Sequence, residues 1–365
     1  METNDNNGIY GIEKINDIET LHEKDEAIQS LLRNTTVIGE EKKRLVNYLY
    51  GLSHLQAITV PHLPRTGNKF VFFTRPFLNL SNSNLQRDRK LAEYMRDDTD
   101  SIQGYIRATL DVKGNLTGAF KSRLVNQHSP FINVFSNSLV SLTGFPDEMI
   151  EVWSSPSGVR KEQWGYGDGV IDINNKFDLN ATFINVAEEP IPKMLGLWLR
   201  YISLQKSGII TRYKEAWYRR EIDYMTGIWV IVLNNTNTRI VRIAKTIGFP
   251  TANPEGKYFN YNRNERSTKD FKDINTKFTC FGVEYNDPLL LLEFNMLMGA
   301  FNPDIKEFLK SGTGMVKVSN ELLYSANFRA MPLIDLKYNT LEWMVKKDNI
   351  EKKQYSDNEN IFKEH

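Results

Sequence analysis

The sequence predicts an α+β, β-rich fold, with an antiparallel sandwich or barrel core, a buried helix, an irregular insertion and peripheral arms. Three stretches carry that prediction. Ile228–Leu233 is a continuous apolar strand pattern, followed by the polar turn Asn234-Asn235-Thr236-Asn237-Thr238 and a returning strand over Arg239–Lys245, which together read as a hairpin. Lys277–Tyr285 is rich in Phe, Val and Tyr and is closed by Asn286-Asp287-Pro288. Residues 191–207 form a helix opened by Pro190-Ile191-Pro192, because proline is tolerated in the first turn, and ended by Gly208, which takes a left-handed cap cheaply. Its residues Met194, Leu195, Leu197, Trp198, Leu199, Tyr201, Ile202 and Leu204 cover most of the circumference, so it is expected to be buried on more than one side.

The remaining elements follow in chain order. The first 30 residues hold eight acidic side chains (Glu2, Asp5, Glu13, Asp17, Glu19, Glu23, Asp25, Glu26) against Lys14 and Lys24. Ile9, Ile12, Ile15, Ile18, Leu21 and Ile28 make one thin helical stripe. The segment therefore reads as an arm ordered on a partner, or as a solvated tail. Glu41–Tyr50 reads as a helix stopped by Gly51, and Ala57–Leu63 and Lys69–Thr74 read as strands. Ser83–Asp97 reads as a helix, with Ser83 and Gln86 spaced as a capping box. Residues 98–176 are the least periodic and are punctuated by glycine and proline, so long loops with short embedded elements are expected.

Beyond Asp178, the residues Leu179, Ala181 and Phe183 alternate with Asn180, Thr182 and Ile184, as in a half-buried strand. Leu289–Phe301 reads as a helix containing Gly299. A helix near 303–310, a strand near Met315–Ser319 and a charged tail after Lys346 complete the pattern.

Composition narrows the function. The chain has 365 residues, with 46 basic against 45 acidic residues and a net charge of +1. A protein that holds nucleic acid through its phosphates carries a basic excess, and this one has none overall. The single cysteine, Cys280, rules out an intrachain disulfide and a cysteine-built zinc site. METNDNNGIY does not read as a signal peptide. Apolar runs such as Leu289–Leu292 are too short to span a bilayer.

Candidate chemistry is sparse. His22, His54, His62, His128 and His365 show no metal-ligand spacing, and neither HExxH nor a Gly-x-Ser-x-Gly elbow is present. Cys280 lies within an aromatic strand and reads as core. Gly165-Tyr166-Gly167-Asp168-Gly169 lacks both phosphate-loop patterns and reads as a turn or bulge. Asp168, Asp172 and Asp178 lack the EF-hand spacing. Glu188-Glu189 and the Glu148/Glu151 pair are the nominal carboxylates for glycan cleavage. Trp217-Tyr218-Arg219-Arg220 combines aromatics with charge, as a base-stacking surface or as the rim of a protein interface. No catalytic, cofactor-binding or metal residue is assigned, and no cofactor is expected.

Several segments together carry a resemblance. Phe72-Phe73-Thr74-Arg75-Pro76-Phe77-Leu78-Asn79-Leu80 resembles the FFTRP-x-LNL signature of a group of phage virion proteins. Leu179-Asn180-Ala181-Thr182-Phe183, the helix face from Leu195 to Ile202, and Asn286-Asp287-Pro288 through Leu292-Glu293-Phe294-Asn295 continue the match. The hairpin ending in Ile243-Ala244-Lys245-Thr246-Ile247-Gly248-Phe249-Pro250-Thr251 is similar to the tail-tube fold of contractile-tailed phages. The resemblance covers about residues 57–80 and 178–295.

That resemblance implies a structural subunit of the virion tail, assembled in the host cytoplasm. Its partners would be copies of itself in a ring and other tail proteins (tube, sheath, baseplate or neck), with genomic DNA only in transit. The chain is long for a plain tube subunit, which favours a tube initiator, baseplate tube or tail-completion ring. A tail-associated cell-wall hydrolase and a neck or capsid-associated virion protein are the alternatives. The implied organisation is an acidic arm and helix (1–50), the first part of the β core (51–97), a loop-rich insertion (98–176), a tube-like β core with the helix 191–207 (177–300) and a C-terminal extension (301–365). The arm and the extension are expected to dock on neighbours.

Overall fold

The structure is a computed structural model that describes residues 66–95, 98–169, 175–218, 222–259, 272–318 and 330–347. The expected acidic arm and helix over 1–50, the strand at Ala57–Leu63, and Asp172, Arg219 and Arg220 lie outside the described residues.

The strands are β1 (Thr66–Phe73), β2 (Leu139–Thr143), β3 (Val152–Ser154), β4 (Gly165–Gly167), β5 (Lys176–Ile184), β6 (Thr226–Asn234), β7 (Ile240–Pro250), β8 (Asp273–Tyr285), β9 (Met315–Lys317), β10 (Met331–Asp335) and β11 (Thr340–Lys346). Six of them form one antiparallel sheet in the order β1-β6-β7-β8-β5-β2. The sheet is nearly closed into a barrel. A single stretch of chain touches both of its edges. The Ile132 amide donates to the Phe73 carbonyl at 2.8 Å and Thr74 bridges to Phe131 beside β1, whereas β2 begins at Leu139 and pairs with β5.

The helices, numbered in the same way, are α1 (Asn82–Leu85), α2 (Ile102–Leu110), α3 (Val112–Leu116), α4 (Asn133–Ser138), α5 (Pro190–Lys206), α6 (Lys214–Tyr218), α7 (Leu289–Phe301) and α8 (Pro303–Ser311). Successive side chains on a strand point to opposite faces, so each strand can feed two cores. On one face, α5 packs Met194, Leu195, Trp198 and Tyr201 with Phe73, Leu179, Phe183, Ile228 and Phe278. On the other, α7 packs Leu290, Leu291, Phe294 and Met298 with Phe72, Trp229, Ile231 and Ile243. The small sheet β10-β11-β9 closes this second core through Leu333, Ile334 and Met344. Asn295, buried in α7, donates to the Ile334 carbonyl at 2.7 Å and accepts its amide at 2.9 Å, so the amide that helix carries inside is satisfied at both ends.

The principal elements form where the sequence pattern places them. The helix expected at 191–207 is Pro190–Lys206, with Gly208 at φ 72° just beyond it. The hairpin forms with Asn234–Thr238 at its turn, and β8 lies antiparallel to β7. Gly248 faces Cys280 in that register, and a Cβ there would lie 2.5 Å from Cys280 Sγ and 2.7 Å from the Thr279 carbonyl, so only glycine fits the close approach.

Two expectations are corrected. The helix over Ser83–Asp97 is only the four-residue Asn82–Leu85, followed by a 3₁₀ turn at Ala92–Met95. Its N-cap is Ser81, without a side-chain cap bond, and Ser83 Oγ bonds Ser81 Oγ, so there is no Ser83/Gln86 capping box. Tertiary anchoring overrides the local propensity. Asp88 binds the Lys90 amide and pairs with Arg200 of α5, which turns the chain so that both Leu85 and Leu91 enter the core. The strand expected at Met315–Ser319 is the shorter β9, ending at Lys317. Of the C-terminal extension over 301–365, residues 301–318 and 330–347 are described, and they pack on their own chain, where Ile305, Met331, Leu333 and Met344 complete the second core.

Candidate assembly surface

The signature segment Phe72–Leu80 is a buried junction. Arg75 is 3% exposed and donates through Nε to the Thr109 carbonyl at 3.0 Å, through one terminal nitrogen to Ala108 at 2.6 Å and through the other to Ser129 at 3.3 Å. Two of these carbonyls lie in the last turn of α2, where a cation also meets the negative end of the helix dipole. Burial pulls the guanidinium down to about 10, so it keeps its charge at neutral pH.

Asp111 supplies the matching anion. Fully buried, it accepts the Leu80 amide at 2.9 Å, the Gly114 amide at 2.8 Å and the Tyr213 hydroxyl at 2.9 Å. Burial pushes its carboxyl up to about 6, against the pull of those donors and of Arg107. Arg107 is itself held by the Leu80 and Tyr94 carbonyls and by Asn82 Oδ1, 3.9 Å from the Phe120 ring centroid. Asn79 and Asn84 both donate to the Thr211 carbonyl, and the Tyr201 hydroxyl donates to Asp223. These polar contacts fix residues 75–80, residues 108–114 and the residues Thr211, Tyr213 and Asp223 against one another. They make a rigid base, and they leave little open space.

Elsewhere, an arm follows the end of β2. From Phe145 the chain runs outward into the hairpin β3–β4, in register Val152↔Gly167, Trp153↔Tyr166 and Ser154↔Gly165. Its root is pinned where the Tyr285 hydroxyl donates to the Pro146 carbonyl at 2.6 Å and the Phe145 ring meets Phe177 and Tyr285. Beyond the root, every residue of 147–169 except Ser155 is exposed. Met149, Ile150, Val152, Trp153, Val159, Trp164 and Tyr166 are among them, with Trp164 80% exposed and Val152 71% exposed. A hairpin of three residues per strand is marginal by itself in water, and apolar exposure on this scale marks an interaction site.

The nearest sheet edge is open as well. β2, Leu139-Val140-Ser141-Leu142-Thr143, pairs with β5 on one side and has no strand on the other among the described residues. It carries no charge and no proline, the usual guards of an edge, although its register shifts once between Leu139 and Ser141.

The residues singled out from sequence are scattered. Gly165-Tyr166-Gly167 is strand β4 of the arm, neither a phosphate loop nor a turn. Glu148, Glu151 and Asp168 are exposed on the arm, and Glu188 and Glu189 form a left-handed turn before α5, at φ 67° and 53°. Asp178 is engaged by Lys277 at 2.8 Å and by the Thr279 hydroxyl at 2.8 Å. No group of three or more His, Cys, Asp or Glu able to hold a metal occurs among the described residues. Cys280 is buried, and burial pushes its thiol up to about 12, which suits packing and disfavours the thiolate. Trp217 and Tyr218 stand exposed on α6. His128 is the one histidine among the described residues, and it is exposed. No described helix is long and apolar enough to cross a membrane.

Sequence reasoning missed the arm, β2, the β10–β11 pair and the Arg75–Asp111 network. A signal for the arm was present in the alternation of Gly165, Tyr166 and Gly167. For the network there was none, since its members are brought together from distant positions.

Comparison with known proteins gives a broad family match and faint structural ones. The model of a family described as "Putative phage tail tube protein" matches residues 12–358. Among solved structures, the cryo-EM structure of the anti-feeding prophage cap, a tube-terminating cap, is similar at 10% identity. It covers 44% of this chain and 85% of that chain, with a TM-score of 0.25, too low to bear on function. None of the curated proteins matches the chain.

Proposed function

The chain belongs to the phage tail tube protein family, and on that premise we propose that its copies close into a ring of the tail tube, a tube initiator or a baseplate tube. The protein is a structural component of the phage tail. The observation that supports the ring is the open edge of β2 continuing directly into an exposed, aromatic arm. Backbone groups on an unguarded edge pair readily with another strand, and a head-to-tail contact repeated by rotation closes a ring. The root of the arm is pinned beside that edge by Tyr285 and Phe177, so the two surfaces are presented together.

The near-neutral charge lets copies lie side by side without strong repulsion, and it would let DNA pass through a lumen without being gripped. The N-terminal arm over 1–35, acidic in its first 30 residues, would dock on a neighbouring copy. We read the chain as non-catalytic: its nominal carboxylate pairs lie on the arm and in a surface turn, and the family is a structural one.

Electron microscopy of the purified full chain, with immunogold labelling of virions, tests this. Closed rings or tubes, and label along or at the end of the tail, are expected. Monomers at all concentrations, or label on the capsid, would overturn the reading.

A further inference from the structure

The sheet face opposite α5 is only partly covered. α7 and the small sheet shield Phe72, Trp229 and Ile243, but the cover ends before β8 and β5. One cross-strand row there runs Gly227, Ile247, Phe281, Lys176 across β6, β7, β8 and β5. Ile247 and Phe281 are exposed, with Phe249 stacked on Phe281 at 6.2 Å between centroids. Ile184 is exposed on the same face of β5. Lysines rim this strip. Lys245 pairs with Glu293 and Lys277 with Asp178, while Lys176 has no ion pair among the described residues. This is an apolar strip that the described residues leave bare on a strand face, with Lys176 as the cation at its margin that no described carboxylate pairs.

The arm has the complementary character. Over 147–168 it carries Asp147, Glu148, Glu151, Glu162 and Asp168 against Arg160 and Lys161, beside its exposed Trp153, Trp164 and Tyr166. Position links the two surfaces. The arm leaves the C-terminal end of β2, the edge strand, so a copy paired on that edge brings its own sheet alongside the arm.

We infer that the β3–β4 arm of one copy seats on the uncovered Ile247–Phe281 face of the adjacent copy in the same ring, with Lys176 of that copy meeting the acidic base of the arm. This rests on the proposed ring, and it names the surface that each copy offers the next. Aromatic anchors covering an apolar strip, with charges at the rim, have the composition of a specific protein interface. The seating would also order the arm, which its own two short strands hold only weakly.

The test mixes two full-length variants, Tyr166→Cys and Ile247→Cys, during assembly and adds a short bis-maleimide; the native Cys280 is buried and serves as the wild-type control. A cross-linked dimer at least tenfold stronger in the mixture than in either variant alone is the expected result. Rings that form normally with no mixed cross-link would overturn the seating and leave the ring reading intact. A cross-linked dimer from Tyr166→Cys alone would overturn it in favour of arm-to-arm contact. Absence of any association would overturn both. As an independent readout, Lys176→Glu should slow assembly several-fold and Glu151→Lys should restore it in the double variant; equal rates for all three would count against the contact.

Discussion

Phe72 and Phe73 are neighbours in sequence and belong to different cores. Phe72 meets Phe131 at 4.8 Å and Phe294 at 5.4 Å, whereas Phe73 meets Phe278 at 5.5 Å and Phe135 at 5.6 Å. The two rings share none of these partners. Phe72→Leu and Phe73→Leu should each cost about 1–3 kcal/mol. Because sites without shared partners add, the double variant should equal the sum within about 0.5 kcal/mol. Chemical denaturation of the four proteins checks this, and a strongly non-additive result would mean that the sheet does not separate the two cores.

Trp198 is the largest side chain buried under α5, and its indole donates to the Tyr224 carbonyl at 2.9 Å. Trp198→Ala should cost about 3–5 kcal/mol through cavity formation. Trp198→Phe keeps most of the volume but orphans the carbonyl, at about 1–3 kcal/mol. A cost below about 1 kcal/mol for the alanine variant would place this helix face at the surface.

Arg75→Lys keeps the charge but cannot reproduce a planar fork aimed at three carbonyls. With two carbonyls left unsatisfied, a loss of about 2–4 kcal/mol is expected from the unmade hydrogen bonds. Hydrogen exchange should quicken at residues 108–114 and 128–132, which the fork holds. Unchanged exchange there would show that the junction is not what fixes these segments.

Asp111 gives a pH signature. Its carboxyl lies above its ordinary value in the folded protein, at about 6, so the native state binds that proton more tightly than the unfolded chain does. The stabilisation is complete below the unfolded value near pH 4 and is lost as pH rises through about 6. Wild type should therefore lose on the order of 2–3 kcal/mol relative to Asp111→Asn between pH 4 and pH 7. Asp88, held below its ordinary value first by its hydrogen bond to Arg200, acts with the opposite sign in both proteins and cancels in the difference. Denaturation curves for the pair at the two pH values decide the matter. A constant difference would show that Asp111 titrates as an ordinary carboxyl.

Val140 is exposed on the open edge strand. Val140→Lys should leave the melting temperature within a few degrees of wild type, as surface changes do, while suppressing self-association measured by sedimentation. Normal assembly of this variant would remove β2 from the interface.

Elements that local periodicity encodes are legible in the chain of residues alone. Pro190, the run from Met194 to Leu204 and Gly208 delimit α5. The apolar run Ile228–Leu233 with its polar turn sets a hairpin, and alternation at Leu179, Ala181 and Phe183 sets the buried face of β5. Each depends on neighbours within a few positions, where burial repeats every two or every 3.6 residues. The tertiary structure alone decided where the polar residues go. Arg75 reads the same in sequence whether exposed or buried, and only contacts 33 to 54 positions away make it the keystone of a junction. The short helix at Asn82–Leu85 ends because Asp88 finds Arg200, and 147–169 becomes an arm because none of the described residues covers it. Periodicity is a property of a segment, whereas satisfying a buried charge or leaving a surface bare is a property of the whole packed chain.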